Sequence, residues 1–504
     1  MVGLALIGCG GRVQSSCDGD SRCLAQAGQA PASGGSANDP ADSGVFAGGT
    51  AGRAANAAAG GRAPGSTVNE ELPNAGRSDH MGGHGTMAGG SPASGGTGSV
   101  AGAADQSAGA AGDENATVDL VWPDPYRTFG TDHVDGATAV NVDRSGNVYI
   151  AGNTSGAFAS SKAGGSDAFV RKLDPSGATL WTRQFGTPSD DFASAIAIDG
   201  DGNVYVAGDT YGALAGENEG AGDSFVIKLD PSGATLWTQQ FGSSGPDRLE
   251  ALTVDGNGNA YVAGSTYPKG GPNWNDAFVR KFAGSGATLW ATEFGGSGKD
   301  EAQAVAVDGI GNVYVAGGTV DLTEQKAGSR DAFVRKFDAR GDVQWTQQFG
   351  TSGADEIGAA ALDAQGNLYL VGDTSGGLEG ENFGSEDAFA RKLDPSGATL
   401  WTRQIGTTGD DSGSGLAVTE NGDVYVVGST SGGLEGNSSG SDDTYVRKLD
   451  TNGNALWTKQ VGTASSEVAW GAAISARGTL YIVGYTGTPI AGDAFIVQIP
   501  AQSP

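Results

Sequence analysis

The chain has 504 residues, with 58 acidic side chains against 29 basic ones and a net charge of −29. A surface of that sign repels phosphate backbones, which argues against a nucleic-acid partner and leaves cations, basic proteins and neutral glycans. No stretch approaches the ~20 apolar residues of a spanning helix, so a membrane association would have to run through an anchor.

From the N-terminus, Leu6-Ile7-Gly8-Cys9 resembles a bacterial lipobox, in which small and apolar residues precede a cysteine that is acylated after cleavage. Met1 to Gly8 is short for a whole signal and holds no Arg or Lys, which points to a start codon upstream. The resemblance implies lipid on Cys9 and a place at the bacterial outer membrane or cell surface, with secretion as the alternative. Chance occurrence of so short a motif is the competing explanation. Cys17 and Cys23 then remain as an even pair able to close a small loop in an oxidising compartment.

Residues 1–117 contain no Trp, Tyr or Lys and are dominated by Gly, Ala and Ser. Such a composition cannot bury enough apolar surface to offset its ordering entropy. Treated as a Gly-rich coil, residues 24–117 reach roughly 50–60 Å. The predicted organisation is therefore a truncated lipoprotein signal with cysteines at 1–23, a disordered tether at 24–117 and a folded domain at 118–500.

That folded part repeats itself. A Tyr recurs at 149, 205, 261, 314, 369, 425 and 481, and an Asp followed by a small residue and an aromatic recurs at 167, 223, 276, 331, 387, 443 and 493. The period is 53–56 residues with four short strand-like runs per copy, the pattern of a propeller blade. In the copy ending at Phe241, Ala193–Ile198 reads as strand a, with the small residues that a crowded innermost position needs. Val204–Ala207 reads as b, Ser224–Leu229 as c and Ala234–Phe241 as d. Asp199-Gly200-Asp201-Gly202-Asn203 reads as a hairpin turn rather than a Ca²⁺ loop, because it has no glutamate at the twelfth position.

The interval from the Asp opening strand c to the Trp of strand d is always 14 residues, whereas the b-to-c interval varies from 12 to 18. Constant pieces are core, and the variable loop is where blades can differ in function. Seven a-b-c sets are followed by only six Trp-bearing d strands. Tyr126-Arg127-Thr128-Phe129-Gly130 matches Thr182-Arg183-Gln184-Phe185-Gly186, so the N-terminal run is predicted to be the outer strand of the last blade. The fold class is all-β: a seven-bladed β-propeller of four-stranded blades, closed by that strand. Gly-Asn-Val-Tyr-Val-Ala-Gly, Asp-Ala-Phe-Val-Arg-Lys-Leu-Asp and Leu-Trp-Thr-Arg-Gln-Phe-Gly resemble the bacterial propeller repeat known as SBBP. The resemblance implies an extracellular propeller and brings no catalytic residues with it.

Six residues after the Phe that ends strand d, or after Ile405 and Val461 in its place, stands an acid: Asp135, Asp191, Asp247, Asp300, Asp355, Asp411 and Glu467. Alternating chain direction puts them, the Asp residues opening strand c and the variable loops on one face. Two readings stay open: hydrogen-bonded capping of a turn, or a ring for a ligand or cation, for which oxygen donors suit Ca²⁺. Trp and Phe repeats are expected to pack between blades, and the Arg-Lys pair of strand c to form a solvated stripe. Trp274 and Phe383 stand alone in variable loops and are candidate contacts for a sugar or a protein.

The expected function is a non-catalytic, monomeric binding or adhesion propeller that presents its loops to a protein or polysaccharide at the cell surface and needs no cofactor. The alternative is a metal-assisted lyase or hydrolase working from the acidic channel mouth. Against it, the folded region has a single histidine, His133, and every cysteine precedes residue 24.

Overall fold

Alternating β-branched and aromatic residues, broken every few positions by Gly, Asp or Pro, allow short strands and tight turns and little else. A computed structural model describes residues 121–158, 162–267, 275–436, 438–488 and 491–501; Cys9, Cys17, Cys23, the 24–117 segment and Trp274 lie outside them. Among the described residues there are 28 strands and no helix.

Strand β1 is Tyr126–Phe129. Blade 1 then comprises β2 (Asp135–Val142), β3 (Val148–Thr154), β4 (Asp167–Leu173) and β5 (Thr179–Phe185). Blade 2 is β6 (Asp191–Ile198) to β9 (Thr235–Phe241), with β7 Val204–Thr210 and β8 Asp223–Leu229. Blades 3 to 6 repeat this order from inner strands β10 (Arg248–Val254), β14 (Glu301–Val307), β18 (Asp355–Leu362) and β22 (Asp411–Val418). Blade 7 has β26 (Glu467–Ile474), β27 (Leu480–Thr488) and β28 (Ala491–Ile499), and takes β1 as its fourth strand. β1 pairs antiparallel with β28, Tyr126 opposite Val497 and Phe129 opposite Ala494. Each inner strand contacts the inner strands of both neighbouring blades, and β26 returns to β2, so seven blades close the ring.

Aromatic side chains tie blade to blade. Within blade 2, Tyr205 meets Trp237 edge-on at 5.9 Å. Between blades 1 and 2, Phe185 meets Phe225 at 6.0 Å and the Trp181 indole N–H donates to the Pro231 carbonyl at 3.3 Å. Repeated Trp and Phe are thus inter-blade packing, as expected. The turns are also as expected: the Asp199 carboxylate accepts the backbone N–H of Asp201 and Asn203, and Gly202 takes a φ of 81° that favours glycine.

The Arg-Lys pair of strand c is not a solvated stripe. Lys228 is buried, lies 4.7 Å from the Tyr205 ring centre and pairs with Asp199 at 3.3 Å. Its neighbour in the motif turns the other way: Arg391 lies 3.8 Å from the ring centre of Phe349 in the preceding blade. Burial pushes that guanidinium down to about 10.

The closing blade has a tryptophan after all. Trp122 is buried, its ring 5.6 Å from Tyr481, and its indole N–H donates to the Pro175 carbonyl at 3.1 Å. It fills in blade 7 the place that Trp181 fills in blade 1. Arg127 lies against it and donates to the Gly177 carbonyl, as Arg183 donates to that of Gly233.

Candidate functional site

The d-to-a and b-to-c connections share one face: the backbone N–H of Asp191 donates to Ser166 O at 2.8 Å, and that of Asp355 to Arg330 O at 2.9 Å. On this face all seven predicted ring acids, Asp135, Asp191, Asp247, Asp300, Asp355, Asp411 and Glu467, are buried. In blade 2, Asp191 accepts the Thr187 N–H at 2.6 Å, the Thr187 hydroxyl at 3.0 Å and the Thr210 hydroxyl at 2.5 Å. Glu467 does the same with Thr463 and Thr486. The carboxylates clamp the connection onto the inner strand; they do not stand in open solvent. Burial pushes those of Asp247, Asp300 and Asp355 above the ordinary range.

A second set of acids supports the loops. Asp167, Asp223, Asp331, Asp387 and Asp443 each accept a glutamine Nε2 from strand d at 2.7–2.9 Å. The same glutamines accept loop N–H groups, such as Phe158 onto Gln184 and Leu378 onto Gln404. Blade 3 has Glu293 where blades 1, 2, 4, 5 and 6 have glutamine, and burial, Asp300 and Glu293 push the Asp276 carboxyl up. The glycine after each strand-d aromatic fits between the two sets: a Cβ on Gly186 would lie 2.7 Å from Asp167 Oδ1 and 2.9 Å from Asp191 Oδ2. Among the described residues no three His, Cys, Asp or Glu side chains form a group that could hold a metal ion.

Phe383 is 55% exposed, its backbone N–H held by Asp387 at 2.7 Å, so the ring is free to contact a ligand. His133 is exposed beside the first connection.

The feature that sequence reasoning missed is a β-bulge in every inner strand. Pairing with strand b skips one residue per blade: Thr138, Ser194, Glu250, Gln303, Gly358, Ser414 and Trp470. The glycine opposite each bulge permits it, since a Cβ on Gly208 or Gly372 would overlap the carbonyl oxygen of Phe192 or Glu356. Residues at this position range from glycine through serine and glutamate to tryptophan. The periodic glycine of strand b was the available signal.

At blades 4 to 7 the bulges surround a shallow concavity, open to solvent, lined by Gln303, Glu356, Asp373, Ser412, Ser414 and Trp470, among others. Arg330 pairs with Glu301 at 2.6 Å and with Glu356 at 2.7 Å, and Gln303 Nε2 donates to Glu356 Oε2 at 3.0 Å. Burial and the nearby Glu386 hold the Asp373 carboxyl well above the usual range. Opposite, Trp470 meets Tyr485 at 4.8 Å and covers Gly136 of blade 1. On blades 2 and 3, Asp209 and Glu250 stand side by side, and burial pushes Glu250 up to about 7. The mouth is acidic on one side and aromatic on the other.

The repeat family that matches the chain agrees with the blade plan. Residues 180–214, 236–267, 289–319, 344–379 and 400–435 match the beta-propeller repeat SBBP. Each match runs from strand d through a and b of the next blade, so the repeat is out of phase with the blade. The chain is 27% identical to the regulatory protein FlaEY of Caulobacter vibrioides over 353 residues, covering 59% of this chain and 36% of that protein. It is 21% identical to the uncharacterized WD repeat-containing protein L264 of Acanthamoeba polyphaga mimivirus, covering 64% of this chain and 26% of the other. The chain therefore spans about a third or less of the length of these relatives. A solved structure of a puromycin hydrolase mutant is similar with a TM-score of 0.45 at 13% identity, over 75% of this chain and 55% of that one.

Proposed function

We propose that this chain, a seven-bladed propeller built on SBBP repeats, is a binding module that takes a protein or polysaccharide on the face carrying its d-to-a and b-to-c connections. One observation carries this reading: a repeated frame holds, at its channel mouth, bulge residues that differ in every class from Gly358 to Glu250 to Trp470. Repetition serves the scaffold, and departure from repetition serves recognition. Phe383, exposed in its loop, extends the contact surface outward, and Trp274 is a further contact expected from the sequence.

The chain works as a monomer without a cofactor, and lipid on Cys9 holds it at the bacterial cell surface through the 24–117 tether. Replacing Cys9 by alanine then abolishes incorporation of a labelled fatty acid and releases the chain into the medium. Retention of label in that variant would place the anchor elsewhere.

A hydrolase or lyase reading rests on the ring acids. One oxygen of each is an acceptor inside its own blade, as with Asp191, Asp355 and Asp411, and His133 is exposed in the connection outside the strands, which favours binding over turnover. The test is capture from cell-surface extract and from a glycan array by the immobilised Cys9→Ser chain. Trp470→Ala is expected to weaken capture at least tenfold, while Ile310→Ala, in an a-to-b turn on the opposite face, leaves it unchanged. Chemical conversion of the captured species, or equal capture by both variants, overturns the reading.

A further inference from the structure

In four blades the strand-b residue just before the terminal Thr accepts a backbone N–H from the next blade's inner strand. Asn153 takes that of Ala193 at 2.7 Å, Asp209 that of Leu249 at 2.7 Å, Asp373 that of Gly413 at 2.7 Å, and Ser429 that of Ala469 at 3.2 Å. An amide or a hydroxyl suffices for this bond, so the charge that Asp373 can carry is surplus to the architecture, and a cation beside it would draw the carboxyl back to its ionised form. That bond uses Oδ1; Oδ2 has no donor among the described residues.

Gln303, on the same wall, is 8% exposed, and its Oε1 is buried with no hydrogen-bond partner among the described residues. Its orientation is fixed by chemistry: Nε2 donates to Glu356, and a flip would set oxygen against carboxylate. A buried acceptor left without a donor costs about 1–3 kcal/mol, so a native structure holds one where something else supplies the donor. The Ser414 hydroxyl donates away, to the Ala469 carbonyl at 2.6 Å, which leaves its lone pairs facing the same concavity. The groups left open beside Gln303, the Asp373 and Ser414 oxygens, accept, and the Trp470 indole lines the same concavity. A sugar, which brings donors and acceptors in equal measure, fits this set poorly; a donor-only cation with a flat or slim apolar stem fits it well.

We propose that the concavity between blades 4 and 7 receives a basic side chain, arginine or lysine, from a partner protein, with Asp373 and Gln303 Oε1 accepting its N–H groups and Trp470 covering its stem. This rests on the binding-module reading and narrows its ligand to a protein. Arg330 does not fill the role itself, because it is already held by Glu301 and Glu356. An overall charge of −29 draws such a partner in.

The test uses the full Cys9→Ser chain and three acetylated, amidated pentapeptides, Gly-Gly-X-Gly-Gly, with X arginine, lysine or the uncharged isostere citrulline. Calorimetry at low salt is expected to show binding of the first two and at least tenfold weaker binding of the third. Asp373→Asn keeps an acceptor for Gly413 and should fold as wild type, with its Tm kept or raised, yet lose at least tenfold in affinity for the arginine peptide. Gln303→Leu should lose affinity while keeping or raising its Tm, since it removes an orphaned acceptor.

Equal binding of arginine and citrulline peptides, no binding of any peptide, or wild-type affinity in Asp373→Asn overturns the proposal. Tighter binding of free agmatine than of the peptide overturns the partner-protein assignment. Capture of a surface ligand that persists in Asp373→Asn, with the arginine peptide unbound, sinks the basic-side-chain pocket while the binding module stands.

Discussion

Glu250 shows how a single channel residue sets pH behaviour. It stands on a bulge beside Asp209, with Arg248, Lys299 and Glu301 around it, and burial raises it from 4.5 to about 7. A carboxyl raised on folding binds its proton more tightly in the folded chain than in the unfolded one. Its stabilising contribution is therefore complete below pH 4.5 and disappears as pH climbs through about 7. Glu250→Gln is expected to stabilise the chain at pH 8 by about 2 kcal/mol, discounted for contact with channel water, and to make no difference at pH 4.5. Melting curves of both proteins across that range check it, and parallel profiles would show that Glu250 titrates normally. Such a residue was not legible beforehand, because nothing in a period count says which member of a strand is bulged. The Arg-Lys pair was misread for a related reason: neighbours in a strand point to opposite faces, so Arg171 and Lys172 could never both lie on one solvated stripe.

At the scale of the element, the blade plan was legible and its bend was not. Constant 14-residue intervals fix strands c and d, and the seven Tyr fix b, because backbone pairing tolerates no slip where one side is buried. The acids fell one step from where they were placed: Asp191 begins β6 and Asp355 begins β18, so these two sit in the inner strand and not in the loop before it. Strand b carries the more telling constraint. Gly208 lies under the Phe192 carbonyl, which the bulge folds inward, and any side chain there competes with that carbonyl. Gly208→Ala is expected to cost about 3 kcal/mol by chemical denaturation, from overpacking against backbone that cannot move aside. Substituting the neighbouring surface residue Gly216, whose added Cβ would meet nothing within 4 Å, serves as the control, with a change below about 0.5 kcal/mol. Equal effects at the two positions would mean that the bulge is not what the glycine protects.

The whole ring depends on a seam that its own repeat period hides. Six blades close on themselves with sequential strands, but blade 7 borrows β1 from the far end of the chain. β1 is only four residues long, and Trp122 and Gln498 reinforce it: the Trp122 N–H donates to Gln498 Oε1 at 2.7 Å, and the Gln498 N–H donates to Pro125 O at 2.8 Å. Closure by Tyr126–Phe129 could be read from its match to strand d. Trp122 could not, since it stands seven residues before Phe129 where its siblings stand four before theirs. A propeller opens at its weakest inter-blade joint, so a loss at the seam acts on the ring, whereas the same loss within a sequential blade acts locally. Trp122→Ala removes a wholly buried ring and should cost about 3–5 kcal/mol. Trp237→Ala, at a half-exposed position in blade 2, should cost less. The decisive measurement is hydrogen exchange: in Trp122→Ala the amides of β28 should lose protection before any other strand, followed by β27. Uniform loss around the ring, or protection at β28 equal to wild type, would mean that the disc is not held shut at this seam.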